Sequence, residues 1–452
     1  MSAVVAEQAL NGAEAARRDA SAPRLRDLVS PLGGLVNNVY QLPVESSDPP
    51  LAVFSADLGD VSTVLPNLCG PDCLGTLDGT GTGVDPERSA IVGIAEGLER
   101  YANCVYDDRQ LRWATADELA AEGAAALDLD SLPRCSPAEL EDPHSPLVLP
   151  ERTARMRWIR GLDLATGTPS WVPASLVFMH FSAHDGERIT NPISTGAATH
   201  PDPAVAVRGA LCEVIERDAI SLTWLHELPL PRIELDTVGP ELQRYLDLCA
   251  GRDVEIQLYD ATTDLGIPTV YGVSIARNHP TCRTVVSCAT SLDPQTAAAK
   301  AICETVSVRI ALRGAQAPSE DVRTFTGVSD GAAYMAMPER AAAFDFLLTS
   351  PARRRLSEMP VLSTGDATAD LRLVLDRLAE RDMAAYLIDL STDEAIRAGM
   401  TVVRAVVPGL QPLCFNYRAR YLGSPRLYRA PVAMGYPSRT EASLNAWPQP
   451  FA

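Results

Sequence analysis

The amino-acid sequence predicts an α/β (α+β) fold of mixed sheets and packed helices. Three observations carry that prediction. Apolar residues make up 46% and charged residues 21% of 452 positions. That is a globular balance, sufficient for one large or two to three ordinary domains with a substantial core. Several segments repeat apolar residues at helical spacing, some behind clear start signals. Between them lie runs of strand character, and the two kinds alternate irregularly along the chain.

Taken in order, residues 1–60 read as an N-terminal extension, rich in Ala and Pro. A short helix there is followed by the extended arm "NVYQLPVESSDPPLAVFSA". "GTGTG" at Gly79–Gly83 reads as a flexible turn. A helix follows over about Pro86–Val105. The acidic stretch near 115–150 reads as a surface insertion, its helix opening at Thr115 with Glu118 completing a capping box. "RWIRGLDLATGTPSWVPASLVFM" alternates as a hairpin that turns near Gly167. A long helix runs from about Pro203 to Leu225. "VEIQLYD" and "TVYGVSIA" read as strands separated at "GIP". Asp293 and Pro294 start a further helix. A helix near Thr368–Arg381, the strands "AAYLIDL" and "TVVRAVVP", and a Pro-containing tail at 445–452 complete the chain.

The formal net charge of −19 argues against a general grip on nucleic acid or on an anionic membrane. The first twenty residues lack an apolar signal core, and no apolar run reaches the roughly 18 residues that span a bilayer. Ten cysteines are scattered. The close pair Cys69 and Cys73 has no second pair at zinc-ribbon spacing. A reduced, cytoplasmic protein is expected. The six histidines show no metal-site spacing; His180 and His184 stand four apart without a completing carboxylate pattern. Neither a P-loop nor a G-x-S-x-G elbow is present.

The informative feature is charge inside apolar helices. In "ALCEVIERDAI", Glu213 and Glu216 share a face, with Arg217 beside it and Leu211, Ile215, Ala219 and Leu222 forming the apolar stripe. "GIAEGLERYAN" repeats the pattern with Glu96, Glu99 and Arg100. A third helix carries Lys300 and Glu304 at i, i+4, then Arg309. Glu-x-x-Glu-Arg is common on solvated helices, so a structural ion-pair network explains this as readily as a ligand does. The functional alternative is four carboxylates converging on Mg²⁺, with Arg and Lys meeting phosphate oxygens.

From about Val39 to Ala452 the chain resembles the YcaO family of ATP-dependent enzymes that activate peptide backbone amides. "GTGTGVDPERSAIVGIAEGLERYAN", "STGAATHPDPAVAVRGALCEVIERDA" and "SLDPQTAAAKAICETVSVR" are similar to the family's three ATP motifs. "TVVRAVVPGLQPL" and "RYLGSPRLY" are similar to segments of its azoline-forming cyclodehydratases. The resemblance implies a YcaO catalytic domain over 61–452. It implies Glu96, Glu99, Glu213 and Glu216 as Mg²⁺ carboxylates. Ser194, Thr195, Arg100, Arg217, Lys300 and Glu304 would then be nucleotide-binding residues. Thr195, Val92, Val205, Ser307 and Lys300 depart from the residues common at those positions.

The implied reaction is cyclodehydration of Cys, and of Ser or Thr, in a ribosomal precursor peptide. Relatives end in a P-x-P-x-P tail that reaches toward the active site. Here Pro448 and Pro450 match it and Ala452 replaces the last proline, so Pro448, Pro450 and the carboxylate of Ala452 are the expected catalytic tail. Fused relatives carry a peptide-binding, E1-like region, and only about 60 residues precede the first motif here. A separate leader-peptide-binding partner is therefore expected, alongside an azoline dehydrogenase and homodimerisation. Rival readings are a YcaO enzyme that forms a thioamide or amidine, and a non-catalytic scaffold of the same fold.

Overall fold

The computed structural model describes residues 24–315, apart from 66 and 68–76, and residues 319–452. Cys69, Cys73 and the short helix expected near the N-terminus lie outside the described residues. The architecture is mixed α/β, as the sequence predicts. Its first sheet is antiparallel, in the order Asn38–Gln41, Ala52–Asp57, Gly79–Gly83. A second runs Arg112–Ala114, Met156–Asp163, Tyr386–Asp389, Thr401–Val406, Ala197–His200, with Pro169–Pro173 also on Met156–Asp163. The third runs Thr284–Thr290, Thr269–Ile275, Glu255–Asp260, Arg232–Glu234, Arg353–Arg355, its last pair parallel.

Three long helices connect these sheets: α1 (Pro86–Ala102), α2 (Pro203–His226) and α3 (Pro294–Arg313). All three start the same way. Asp85, Asp202 and Asp293 are the caps, each accepting from a main-chain N–H of the first turn, and proline follows at the first helical position. The cap satisfies an otherwise orphaned donor, and proline gives up a donor that would have no partner there. Helix α1 packs on strands 79–83 and 197–200. Helix α2 packs on 197–200, 401–406 and 284–290, and α3 on 284–290, 269–275 and 79–83. The packing therefore closes a circuit, and the three helices face a common space.

"GTGTG" is a strand and not the flexible turn expected from its glycines. A methyl group at Gly79 would overlap the backbone of Gly93 and Gly97, and one at Gly81 the Ser89 carbonyl oxygen. Glycine lets α1 lie directly on the strand. The hairpin turns at Gly167, which has φ +69°, and Thr115 and Glu118 form the capping box. Within the acidic stretch, Leu119, Leu127, Leu129 and Leu132 are buried in the main core. No described helix is long and apolar enough to cross a membrane.

Candidate functional site

The space between α1, α2 and α3 is lined with carboxylates. On α1, Glu96 accepts from the Thr80 N–H at 2.6 Å and from Arg100 at 2.8 Å. Arg100 in turn donates to the Asp78 carbonyl oxygen at 2.7 Å. On α2, Glu213 accepts from the Gly196 N–H at 3.0 Å and pairs with Arg217 at 3.2 Å. Glu216 accepts from the Thr290 N–H at 2.9 Å and pairs with Arg217 at 2.5 Å. Each of these three glutamates thus has one strand or loop N–H and one arginine. Gly196 is required for its part. Its φ is +86°, and a methyl group there would press on the Ala405 carbonyl oxygen and Val214.

Glu99 and Glu304 differ. Among the described residues neither forms an ion pair within 4 Å. Burial pushes the Glu99 carboxyl up to about 8, helped by Glu213 and Glu96 and opposed by Arg100. Glu216 is pushed up to about 7 by burial, against the pull of Arg217. Burial also raises Glu213, while Arg217 and the Gly196 N–H lower it. Glu304 faces Arg217, Glu96 and Glu213 from α3, and its side chain is exposed. Lys300, one turn earlier, is also exposed and forms no ion pair among the described residues. Five like charges therefore converge from three helices, and the ionised form of at least two is disfavoured.

The site is a pit open to water. Glu96, Glu213 and Glu216 keep 31%, 24% and 14% of their side-chain surface accessible, and Arg100 and Arg217 keep 31% and 26%. A ligand can reach it. Among the described residues no three His, Cys, Asp or Glu side chains make a ready metal cage. That suits Mg²⁺, which is commonly held by one or two carboxylates together with phosphate oxygens and water.

The structure brings together Glu96, Glu99, Glu213, Glu216, Arg100, Arg217 and Glu304. Thr195 lines a neighbouring cleft, and Ser194 accepts from Ala197 N–H in the loop before Gly196. Of the departures, Ser307 hydrogen-bonds Thr82 at 3.0 Å and ties α3 to the glycine strand, while Val92 is exposed. The tail is docked. Asn445 donates to the Trp224 carbonyl oxygen at 3.0 Å and Pro448, Pro450 and Phe451 are buried, leaving Ala452 exposed. The Phe451 ring meets Tyr271 edge-on at 5.3 Å. Tyr271 pairs with Cys288 across the sheet, and Cys288 faces Glu216 and Arg217. A continuous packed path therefore joins the tail to the pit.

Arg404 was not singled out from the sequence. It is buried, faces Glu213 and Glu99, and is pushed down to about 10 by burial. Its signal was available: it is the one charged residue in the otherwise apolar strand "TVVRAVVP".

Comparison with known proteins identifies the family and the fold. The chain is 28% identical over 349 residues to the protein described as "Uncharacterized protein in tfuA 3′ region" from Rhizobium leguminosarum bv. trifolii, covering 73% of this chain and 76% of that one. Its fold is similar to a heterocyclase solved with substrate and cofactor, with TM-score 0.76 and 22% identity. That match covers 95% of this chain and 57% of the other, so the chain spans little more than half the heterocyclase's length. It is also similar to YcaO from Methanopyrus kandleri bound with AMPPCP and Mg²⁺, with TM-score 0.62 and 20% identity over 87% of this chain and 91% of that one. The family described as YcaO cyclodehydratase, ATP- and Mg²⁺-binding, matches residues 80–411. Three capped helices closing on a carboxylate pit without a P-loop, and a family match across most of the chain, make this protein a member of the YcaO family, with ATP and Mg²⁺ as its cofactors.

Proposed function

We propose that the chain is an ATP-dependent cyclodehydratase that converts Cys, and Ser or Thr, of a ribosomal precursor peptide to azolines. The observation that carries this reading is the excess of carboxylates in an accessible pit. Among the described residues Glu99 and Glu304 lack the ion pairs that Glu96, Glu213 and Glu216 have, and a bound divalent cation with its polyphosphate would supply what is missing. These two residues fit Mg²⁺ as ligands, with Glu96, Glu213 and Glu216 beside them. Mg²⁺ neutralises phosphate charge when bound. Arg100 and Arg217 hold carboxylates in place, and exposed Lys300 is available to phosphate oxygens.

In the reaction the side-chain thiol or hydroxyl adds to the preceding backbone carbonyl. The carbonyl oxygen takes the γ-phosphoryl group of ATP, and phosphate then leaves with that oxygen. The peptide loses one water, and ADP and phosphate are the other products. The chain's contribution is positioning and charge neutralisation. Pro448 and Pro450 would fix the tail, and Ala452 would present a carboxylate as base. A separate leader-peptide-binding partner would deliver the precursor. A homodimer and an azoline dehydrogenase partner belong to the same proposal.

The test is mass spectrometry of candidate precursor peptides incubated with this chain, the suspected partner, ATP and Mg²⁺. Loss of one water per modified residue is expected, together with ADP. Exchange of oxygen for sulfur would instead assign thioamide formation. Nucleotide binding without ADP release would assign a scaffold.

A further inference from the structure

The carboxylate pit has a neighbour for which nucleotide chemistry gives no use. A cleft runs from Thr195 between the loop 189–195 and the segment 404–413. Its walls are largely apolar, with Ile193, Val407 and Leu410 prominent, and Arg217, Arg404 and Gln411 are among the polar side chains that interrupt them. Arg217 is matched by Glu213 and Glu216. Arg404 is only 6% exposed and forms no ion pair among the described residues. Its Nη2 donates to the Ile193 carbonyl oxygen at 2.7 Å, while Nε and Nη1 have no partner. Gln411 is 1% exposed. Its amide nitrogen donates to the carbonyl oxygens of Arg420 and Tyr421 at 3.4 and 3.3 Å, and its Oε1 has no partner.

Buried polar atoms without partners are costly, a guanidinium most of all. The orphans here have opposite polarity. Arg404 offers donors and Gln411 offers an acceptor. Phosphate carries acceptors and would leave Gln411 unmatched, and hydrocarbon would match neither. A peptide backbone carries both a carbonyl and an N–H, and an apolar side chain suits the walls.

We propose that this cleft seats the substrate residue that precedes the cyclised side chain. Its carbonyl oxygen accepts from Arg404, and a backbone N–H of the same segment donates to Gln411 Oε1. The assignment rests on the cyclodehydratase reading. It puts the oxygen to be phosphorylated beside a guanidinium that already faces Glu99 and Glu213. It also makes an apolar residue at the preceding position the preferred one, because a charged side chain would lose its water against these walls.

The experiment uses a capped tripeptide with photoleucine immediately before cysteine, at millimolar concentration, irradiated with the full chain, Mg²⁺ and AMPPCP. Crosslinks are expected within 189–195 and 404–413. Arg404→Lys keeps a charge facing the glutamates but loses the planar fork, and is expected to lower the yield about tenfold. Gln411→Met keeps the volume and is expected to lower it about threefold. If Arg404 only balances the carboxylates, lysine restores labelling to the wild-type level and the proposal falls. Labelling elsewhere, no labelling, or full labelling of Gln411→Met also overturns it. Crosslinking reads binding without turnover. A chain that labels here but yields no water-loss product counts against cyclodehydration and not against the cleft.

Discussion

Replacing Glu99 by glutamine tests the pit through its electrostatics. The Glu99 carboxyl is pushed up to about 8 by burial, Glu213 and Glu96, against Arg100 and the Thr199 hydroxyl, with Arg404 facing it from strand 401–406. In the ligand-free folded protein it keeps its proton near pH 7, whereas the unfolded chain releases it near 4.5. The folded state binds the extra proton. This contribution to stability is complete below the unfolded value and is lost as pH rises through about 8. The separation sets an upper bound of about 5 kcal/mol, and water in the pit together with screening reduces that to about 1–2 kcal/mol. Glu99→Gln keeps the shape and removes the titration. In thermal denaturation without metal or nucleotide, the variant is expected to melt about 2–4 °C above wild type at about pH 8.5 and level with it near pH 4.5. Adding Mg²⁺ and AMPPCP should reverse the order, because wild type gains a ligand contact that glutamine cannot supply. Equal melting at about pH 8.5, or a variant weaker at every pH, would refute the reasoning.

Gly81→Ala forces a methyl group against the Ser89 carbonyl oxygen and should cost about 2–4 kcal/mol by chemical denaturation; a loss below about 0.5 kcal/mol would mean that α1 does not rest on the strand. Phe451→Ala removes the ring against Tyr271. It is expected to expose 445–452 to amide exchange and carboxypeptidase while the rest of the fold holds, and deletion of Pro448–Ala452 should abolish heterocycle formation. With Glu99 near 8 and Glu216 near 7, Mg²⁺–nucleotide binding at neutral pH should release between about one and two protons, read as a buffer-dependent enthalpy in calorimetry; no buffer dependence would contradict the raised carboxyls. Glu96→Gln should lower ligand-free stability by about 1–2 kcal/mol, because it weakens the bonds from Arg100 and Thr80, and melting should move in the opposite direction to Glu99→Gln.

Which parts of this were legible in the sequence follows from where the physics is local. The paired glutamates stood out because i, i+3 spacing and the apolar neighbours lie within one helix. The start of α3 was legible at Asp293–Pro294, and the hairpin at Gly167. The glycine strand was not, because glycine has no side chain to alternate and the need for it comes from a helix backbone that only the fold brings close. Sheet order was equally hidden. Strand 401–406 pairs with 386–389 on one side and with 197–200 on the other, a contact some two hundred residues away in sequence. Arg404 was visible as a lone charge in an apolar strand, but its partners come from elsewhere in the chain.

The distinction that spacing could not supply is between the glutamates themselves. In sequence, Glu96 and Glu99 look equivalent, as do Glu213 and Glu216. In the fold, Glu96, Glu213 and Glu216 each take a backbone N–H from a different segment, at Thr80, Gly196 and Thr290. Those bonds fix α1 to the glycine strand and α2 to the second and third sheets, so these carboxylates set the shape of the pit. Glu99 and Glu304 have no such clamp, and their charge is left for a ligand to satisfy. A pit built only from clamped carboxylates would be an ion-pair network with little to offer a metal. One built only from unclamped carboxylates would be pushed apart by its own repulsion. The observed mixture keeps the helices in register without a ligand and, on the proposed reading, would reserve binding energy for the Mg²⁺–nucleotide complex.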